Sequence, residues 1–253
     1  MLEVHTWEVN SNSGKPILFL KEKGADFDFH YVDVLTFEQH LPEYLKINPA
    51  GTVPTVIHNG KIMTESTQAL EYLDAALPGP SFVPKDPYER YQMRWWASHG
   101  SSWAGALSVM GWKNFMGPEV RKLGKERLEQ LLQRIPTKER RIAWTTAANA
   151  TFTEEQIENS KKGVTAGVQM MERRLKEVPW FAGNSYSIAD IVIFANAYGL
   201  PDGHDYAAND KVSPTFMAWL KKIYARPAIQ AAFEMGRTEM RERARRMIKR
   251  FQV

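Results

Sequence analysis

The sequence predicts two structural units in series, an α/β unit over residues 1–77 and an all-α unit over residues 88–253, with residues 78–87 linking them. Three observations carry this. Up to about residue 77, short apolar runs alternate with helical patterns. Pro78-Gly79-Pro80, followed by Pro84 and Pro87, cannot continue a helix. Beyond that link the apolar spacing stays helical to the end, broken only at proline or glycine.

In the first unit, Leu2 to Trp7 reads as a strand. Ser13, ahead of Gly14-Lys15-Pro16, opens a helix through Ile17, Leu18 and Leu20. Pro16 is expected in its first turn, where amides need no intrahelical acceptor, and Gly24 stops it. Phe27, Phe29 and Tyr31 alternate with polar neighbours as a half-buried strand does, and Phe37 to Leu45 suits a short helix or irregular turn. Thr55–His58 and Lys61–Thr64 flank Asn59-Gly60, a pair that favours positive φ and so a two-residue hairpin turn. Leu70 and Leu73 then mark a helix over 66–76.

In the second unit, breaks are expected near Gly117-Pro118, Pro136, 179–183, 201–203, Pro214 and Pro227. Ile157, Val164, Val168, Met171 and Leu175 form one apolar helical stripe. Ser187-Ile188-Ala189-Asp190 carries the spacing of a capping box at the start of another helix.

Composition narrows the chemistry. The 253 residues are 43% apolar and 11% aromatic, enough for a packed core without covalent staples. There is no cysteine, which excludes disulfides, thiolate metal sites and protein-thiol catalysis, so a reactive sulfur has to come with a ligand. No basic leader or long apolar segment appears, and a cytoplasmic protein without a membrane partner is the expectation. Of the net charge of +4, the stretch 237–253 alone supplies +5. Met240, Ala244, Met247 and Phe251 interleave those charges at helical spacing, so the run is read as a solvated helix face rather than a nucleic-acid surface. The six histidines show no His-x-x-x-His pairing, and no metal site is expected. Gly100-Ser101-Ser102-Trp103-Ala104 misses the last glycine of a nucleophile elbow, and Gly14-Lys15 lacks the rest of a phosphate loop.

The most specific string is Asn48-Pro49-Ala50-Gly51-Thr52-Val53-Pro54, then the hairpin, then Thr64-Glu65-Ser66 opening a helix. It resembles the glutathione-site signature of the glutathione transferase family. Similarity extends over nearly the whole chain to one branch, the bacterial glutathione-dependent β-etherases that cleave aryl ethers of lignin fragments. Asn12-Ser13 followed by Lys15-Pro16 looks like that group, and the strings that favour the branch are the middle ones, Phe37-Glu38-Gln39-His40 and Ile47-Asn48-Pro49 among them; Ile135-Pro136 and Ala143-Trp144 before an insert-like stretch to Phe152 are a further likeness. Tyr186 to Asp190 and Ala225-Arg226-Pro227 are shared more widely.

The resemblance implies a thioredoxin-like first unit, glutathione as co-substrate, a small aromatic ether cleaved by thiolate attack as second substrate, and a dimer with an identical or related subunit; a general detoxifying transferase or peroxidase and a non-catalytic glutathione-binding scaffold are the alternative readings. The bend at Pro54 would expose the Val53 backbone, beside Thr52, to pair with an extended peptide. Glu65 and Ser66, at a helix start, would receive the γ-glutamyl carboxylate and amine. By resemblance, Gln39 and His40 hold the glycyl end, although His40 equally suits a surface position on a short helix.

A free thiol with a pKa of about 8.5 is only a few per cent ionised at neutral pH. Ser13, helped by Asn12, is the candidate that stabilises the thiolate. The same serine also reads simply as a helix cap, with Ser11 a nearby competitor and Tyr31 set aside as a strand residue. For the aromatic substrate, Trp112 and Phe115 are favoured wall residues because Gly111 and Gly117 suggest a helix end there. Trp144 and Tyr198 complete the candidate pocket, a core role being the plainer reading of Trp144.

Overall fold

The computed structural model describes residues 1–253. Its sheet has the order β2-β1-β3-β4. Strand β1 (Leu2–Thr6) runs parallel to β2 (Asp28–Tyr31) and antiparallel to β3 (Thr55–His58), which pairs with β4 (Lys61–Met63). The hairpin turn forms as expected, with Asn59 at φ 50° and Gly60 at φ 77°. Val4 and Val56 are fully buried on the face that meets helices α1 (Ser11–Lys23) and α3 (Ser66–Ala76). The other face carries Glu3, His5, Asp28 and His30. A 3₁₀ turn (Glu38–His40) and α2 (Pro42–Ile47) fill the crossover.

The second unit is all helical: α4 (Pro87–Gly111), a π turn (Trp112–Met116), α5 (Gly117–Arg121), α6 (Lys125–Gln133), α7 (Lys138–Asn149), α8 (Glu154–Glu177) and α9 (Ile188–Ala197). Short α10 (Leu200–Gly203), α11 (Pro214–Tyr224), α12 (Pro227–Phe233) and α13 (Glu239–Phe251) complete it. One core runs through both units: Ile17 to Leu20 of α1 and Leu70 and Leu73 of α3 join the buried stripe of α8 and all of Ile191–Ala195. The link is fixed rather than loose. Lys23 donates to the Asp74 carboxylate at 3.0 Å and to the Pro80 carbonyl at 2.8 Å, while Asp74 accepts from Ser81 and from the Phe82 amide.

Two local readings are corrected. Helix α1 begins at Ser11, which enters at φ 50°, so Pro16 lies beyond the first turn and Ser13 is inside the helix rather than its cap. The chain also does not break at Gly117-Pro118. Gly117 N–H reaches back five residues to the Trp112 carbonyl, a π turn that carries the helix past the proline without needing an ordinary i−4 bond there. A second, smaller core packs Trp7, Val34 and Phe37 of the first unit against Met116, Val120, Leu128, Leu131, Ile135 and Trp144. Helices α5 to α7 are thus seated on the α/β unit, and the insert-like stretch up to Phe152 covers only the end of α7 and the turn after it.

Candidate functional site

The thiolate candidates sit at the open amino end of α1. Asn10 is extended and gives no side-chain cap, and the first paired amide of α1 is Gly14, bonded to the Asn10 carbonyl at 3.2 Å. The amides of Ser11, Asn12 and Ser13 have no protein acceptor, so their partial positive charge faces outward. Ser13 is 8% exposed; its carbonyl is held by Thr6 Oγ1 at 3.0 Å, and its hydroxyl has no protein partner. Tyr31 is committed elsewhere, donating to Glu8 at 2.7 Å beneath the Arg237 guanidinium, and burial raises its pKa further.

Beside these amides lies a cleft of about 270 Å³. Asn12, Ser13, Gln39 and Val53 of the first unit face Trp112, Phe115 and Trp144 of the second across it. The π turn presents Trp112 and Phe115 to the cleft although the helix continues past the proline. Trp144 lines the cleft and is also core, packed at 5.0 Å from Trp112 and 4.8 Å from Phe37 between ring centroids. Tyr198 does not join them. It is 2% exposed in the main core against Phe233, because α9 turns its whole circumference inward.

The Val53–Pro54 peptide is cis. Asn48 and Tyr44 clamp the preceding residue, with Asn48 Nδ2 donating to the Thr52 carbonyl at 2.8 Å and Tyr44 OH at 2.6 Å. Thr52 and Pro54 therefore hold the bend without lining the cleft, while the Val53 N–H and C=O remain unpaired beside it. Glu65 and Ser66 line an adjoining hollow of about 520 Å³, which shares Asn12 with the cleft and is floored by Lys15. The first amides of α3 open there, the first paired one being Ala69. Lys15 donates to Thr67 and Ser101, both at 3.0 Å, and burial pulls its pKa down to about 8 against the charge of Glu65.

At the other end, both polar atoms of Gln39 and both ring nitrogens of His40 are buried without partners. Gln39 reaches the cleft; His40 lies behind it against Gly51, 2% exposed. Burial, then the charge of Arg140, depresses the His40 pKa to about 4, so the ring is neutral. Sequence reasoning missed Arg140. It projects from α7 into the cleft, has a buried Nε with no partner and forms no ion pair. It missed as well the unpaired indole N–H of Trp7, and Glu239, Met240 and Arg243, which bring one edge of the basic helix α13 to the cleft. Nothing in local spacing marks these residues, since each reaches the site only through the packing of distant elements.

Residues 11–76 match the family described as "Glutathione S-transferase, N-terminal domain", and residues 142–235 match "Glutathione S-transferase, C-terminal domain". The chain is 36% identical over 246 residues to Protein LigF of Sphingobium sp. strain SYK-6, covering 94% of this chain and 95% of that one. The crystal structure of beta-etherase LigF from that strain superposes with a TM-score of 0.88 at 35% identity, covering 93% of this chain and 99% of its own. A tetrachloro-p-hydroquinone reductive dehalogenase from Sphingobium chlorophenolicum is 24% identical over 243 residues, 91% of this chain and 95% of that one.

Proposed function

The chain belongs to the glutathione S-transferase family, and on that premise we propose that it is a glutathione-dependent β-etherase acting on lignin-derived aromatic ketones. Full-length likeness to a protein named as a β-etherase, together with an aromatic cleft opening on free helix amides, supports the reading. The glutathione thiolate attacks the carbon that bears the aryloxy group beside the ketone. A sulfur–carbon bond forms as the carbon–oxygen bond breaks, and the electron pair leaves on a phenolate that takes a proton from water.

Each part of the site has a task in this reaction. The Ser13 hydroxyl and the α1 amides, with Asn12 at the rim, stabilise sulfur as an anion; lowering the thiol pKa by about 2 units takes about 2.7 kcal/mol of preferential stabilisation. That is within reach of a helix N-terminus and one or two donated hydrogen bonds. The γ-glutamyl end is assigned to Glu65, Ser66 and the α3 amides, and the cysteinyl backbone to the free N–H and C=O of Val53. The glycyl carboxylate is assigned to Gln39 with Arg140, His40 supporting Gln39 from behind. Trp112, Phe115 and Trp144 form the walls for the aryl ether. Displacement next to a carbonyl depends on positioning more than on a strong acid.

The experiment is phenol release from β-aryloxy ketones with glutathione. Turnover of such a ketone is the expected result. No turnover across several of them, with activity on a chlorinated nitroarene, would overturn the specificity in favour of a general transferase.

A further inference from the structure

The outer face of the sheet carries a group that the glutathione reaction does not use. Glu3 and His5 stand two residues apart on β1, hence on one face, and the parallel register sets His30 of β2 directly beside His5. The two imidazoles stack with centroids 4.2 Å apart and planes 6° from parallel. Glu3 Oε2 lies 3.3 Å from His5 Nε2 and 3.7 Å from His30 Nε2. All three donor atoms fall within 4.8 Å of one another. Asp28, in register with Glu3, stands exposed beside them.

The donor spacings are close to those around a bound ion, and turning one ring out of the stack brings both imidazole lone pairs to one point. Bonds of about 2.0–2.1 Å in a tetrahedral zinc site put neighbouring donors about 3.3–3.4 Å apart. One separation already equals that and a second is longer by about 0.4 Å. The side chains of His5, Glu3 and His30 are 17%, 26% and 49% exposed, so an ion could enter from solvent and keep a water as a further ligand. Two imidazoles with one carboxylate suit a borderline transition metal rather than calcium or magnesium, which take oxygen.

We propose that Glu3, His5 and His30 form a surface site for a divalent transition-metal ion, zinc foremost, that clamps edge strand β2 to β1. Binding to the folded protein alone stabilises it by mass action, and β2 gains most, having a neighbour on one side only. The site is independent of the glutathione reading, since none of its three residues lines the cleft or the adjoining hollow.

The test is calorimetric titration of chelator-treated full-length protein with Zn(II), with Co(II) absorption as a second readout. One equivalent is expected, with Co(II) visible bands of low-symmetry coordination and a rise in melting temperature. His30→Ala and Glu3→Gln, both at solvent-accessible positions, are each expected to weaken binding at least about tenfold, the loss that even an outer-shell partner brings. His58→Ala, at a half-buried histidine on the opposite face of the sheet, should leave it unchanged. No binding at submillimolar Zn(II), or binding that His30→Ala and Glu3→Gln do not alter, would overturn the proposal.

Discussion

Ser13 and Arg140 make different kinds of contact with the same proposed ligand, and substitution separates them. Ser13→Ala removes one donor to developing negative charge and is expected to lower kcat on the order of 10²-fold, the usual cost of a lost oxyanion donor. If Ser13→Ala combined with Asn12→Ala leaves turnover intact, the amides of α1 hold the sulfur unaided. Arg140→Gln is expected to weaken glutathione binding roughly 10- to 100-fold, corresponding to a charge-assisted hydrogen bond of about 1.5–3 kcal/mol. The glycyl ethyl ester of glutathione lacks the carboxylate, so its affinity should be the same for both proteins; equal losses for acid and ester would remove Arg140 from the glycyl subsite. His40 adds a pH effect. Its folded pKa of about 4 lies below the ordinary 6.5, so between these values the unfolded chain takes up a proton that the folded chain refuses. Stability should therefore fall as pH drops from about 6.5 to about 4, and urea unfolding of His40→Gln should show a flatter profile over that window.

Helix ends and turns decide where these side chains point. Gly117 follows the π turn that presents Trp112 and Phe115, and a Cβ there would meet the Ala147 carbonyl of α7 at 2.3 Å. A backbone oxygen cannot rotate aside. Gly117→Ala is expected to cost about 1–3 kcal/mol in denaturant unfolding through overpacking, and to raise KM for the aryl ether more than for glutathione. At this scale the sequence was legible where signals are local. Asn59-Gly60 forms the hairpin, the apolar stripe of α8 is buried throughout, and Pro214 and Pro227 open α11 and α12. Asp190 answers the Ser187 amide at 3.0 Å. It also binds the indole of Trp219 at 3.0 Å, a tertiary use that capping spacing does not reveal. The start of α1 and the π turn were not legible, because Ser11 adopts a rare backbone conformation and a single π turn has no residue signature. The same limit applied to the cleft. Asn12, Ser13, Gln39 and Val53 carry local strings, whereas Arg140, Trp7 and Arg243 arrive by long-range packing, and Tyr198 was lost to a helix buried on every side.

The two units act as one body because their joint is charged and buried. Lys23 and Asp74 are 1% and 4% exposed and tie α1, α3 and the link together, while Arg226, just ahead of α12, binds Glu22 of α1 at 2.5 Å and stacks over Tyr186. Asp74→Ala would strand a buried ammonium and is expected to cost about 3–5 kcal/mol in chemical denaturation, whereas Lys46→Ala, whose ion pair with Glu43 is exposed, should cost little. A dimer is proposed on family grounds; Tyr88, Tyr91 and Trp95, exposed along one face of α4, offer apolar surface for it. Light scattering of Trp95→Glu should then show monomer, and an unchanged mass would move the interface elsewhere. The account as a whole depends on a borrowed sulfur being ionised where α1 begins. Titration of bound glutathione by the ultraviolet absorbance of its thiolate tests this directly. The expected midpoint lies about 2 units below the free thiol value of about 8.5 and moves back toward it in Ser13→Ala; a bound thiol that titrates like the free one would contradict the mechanism.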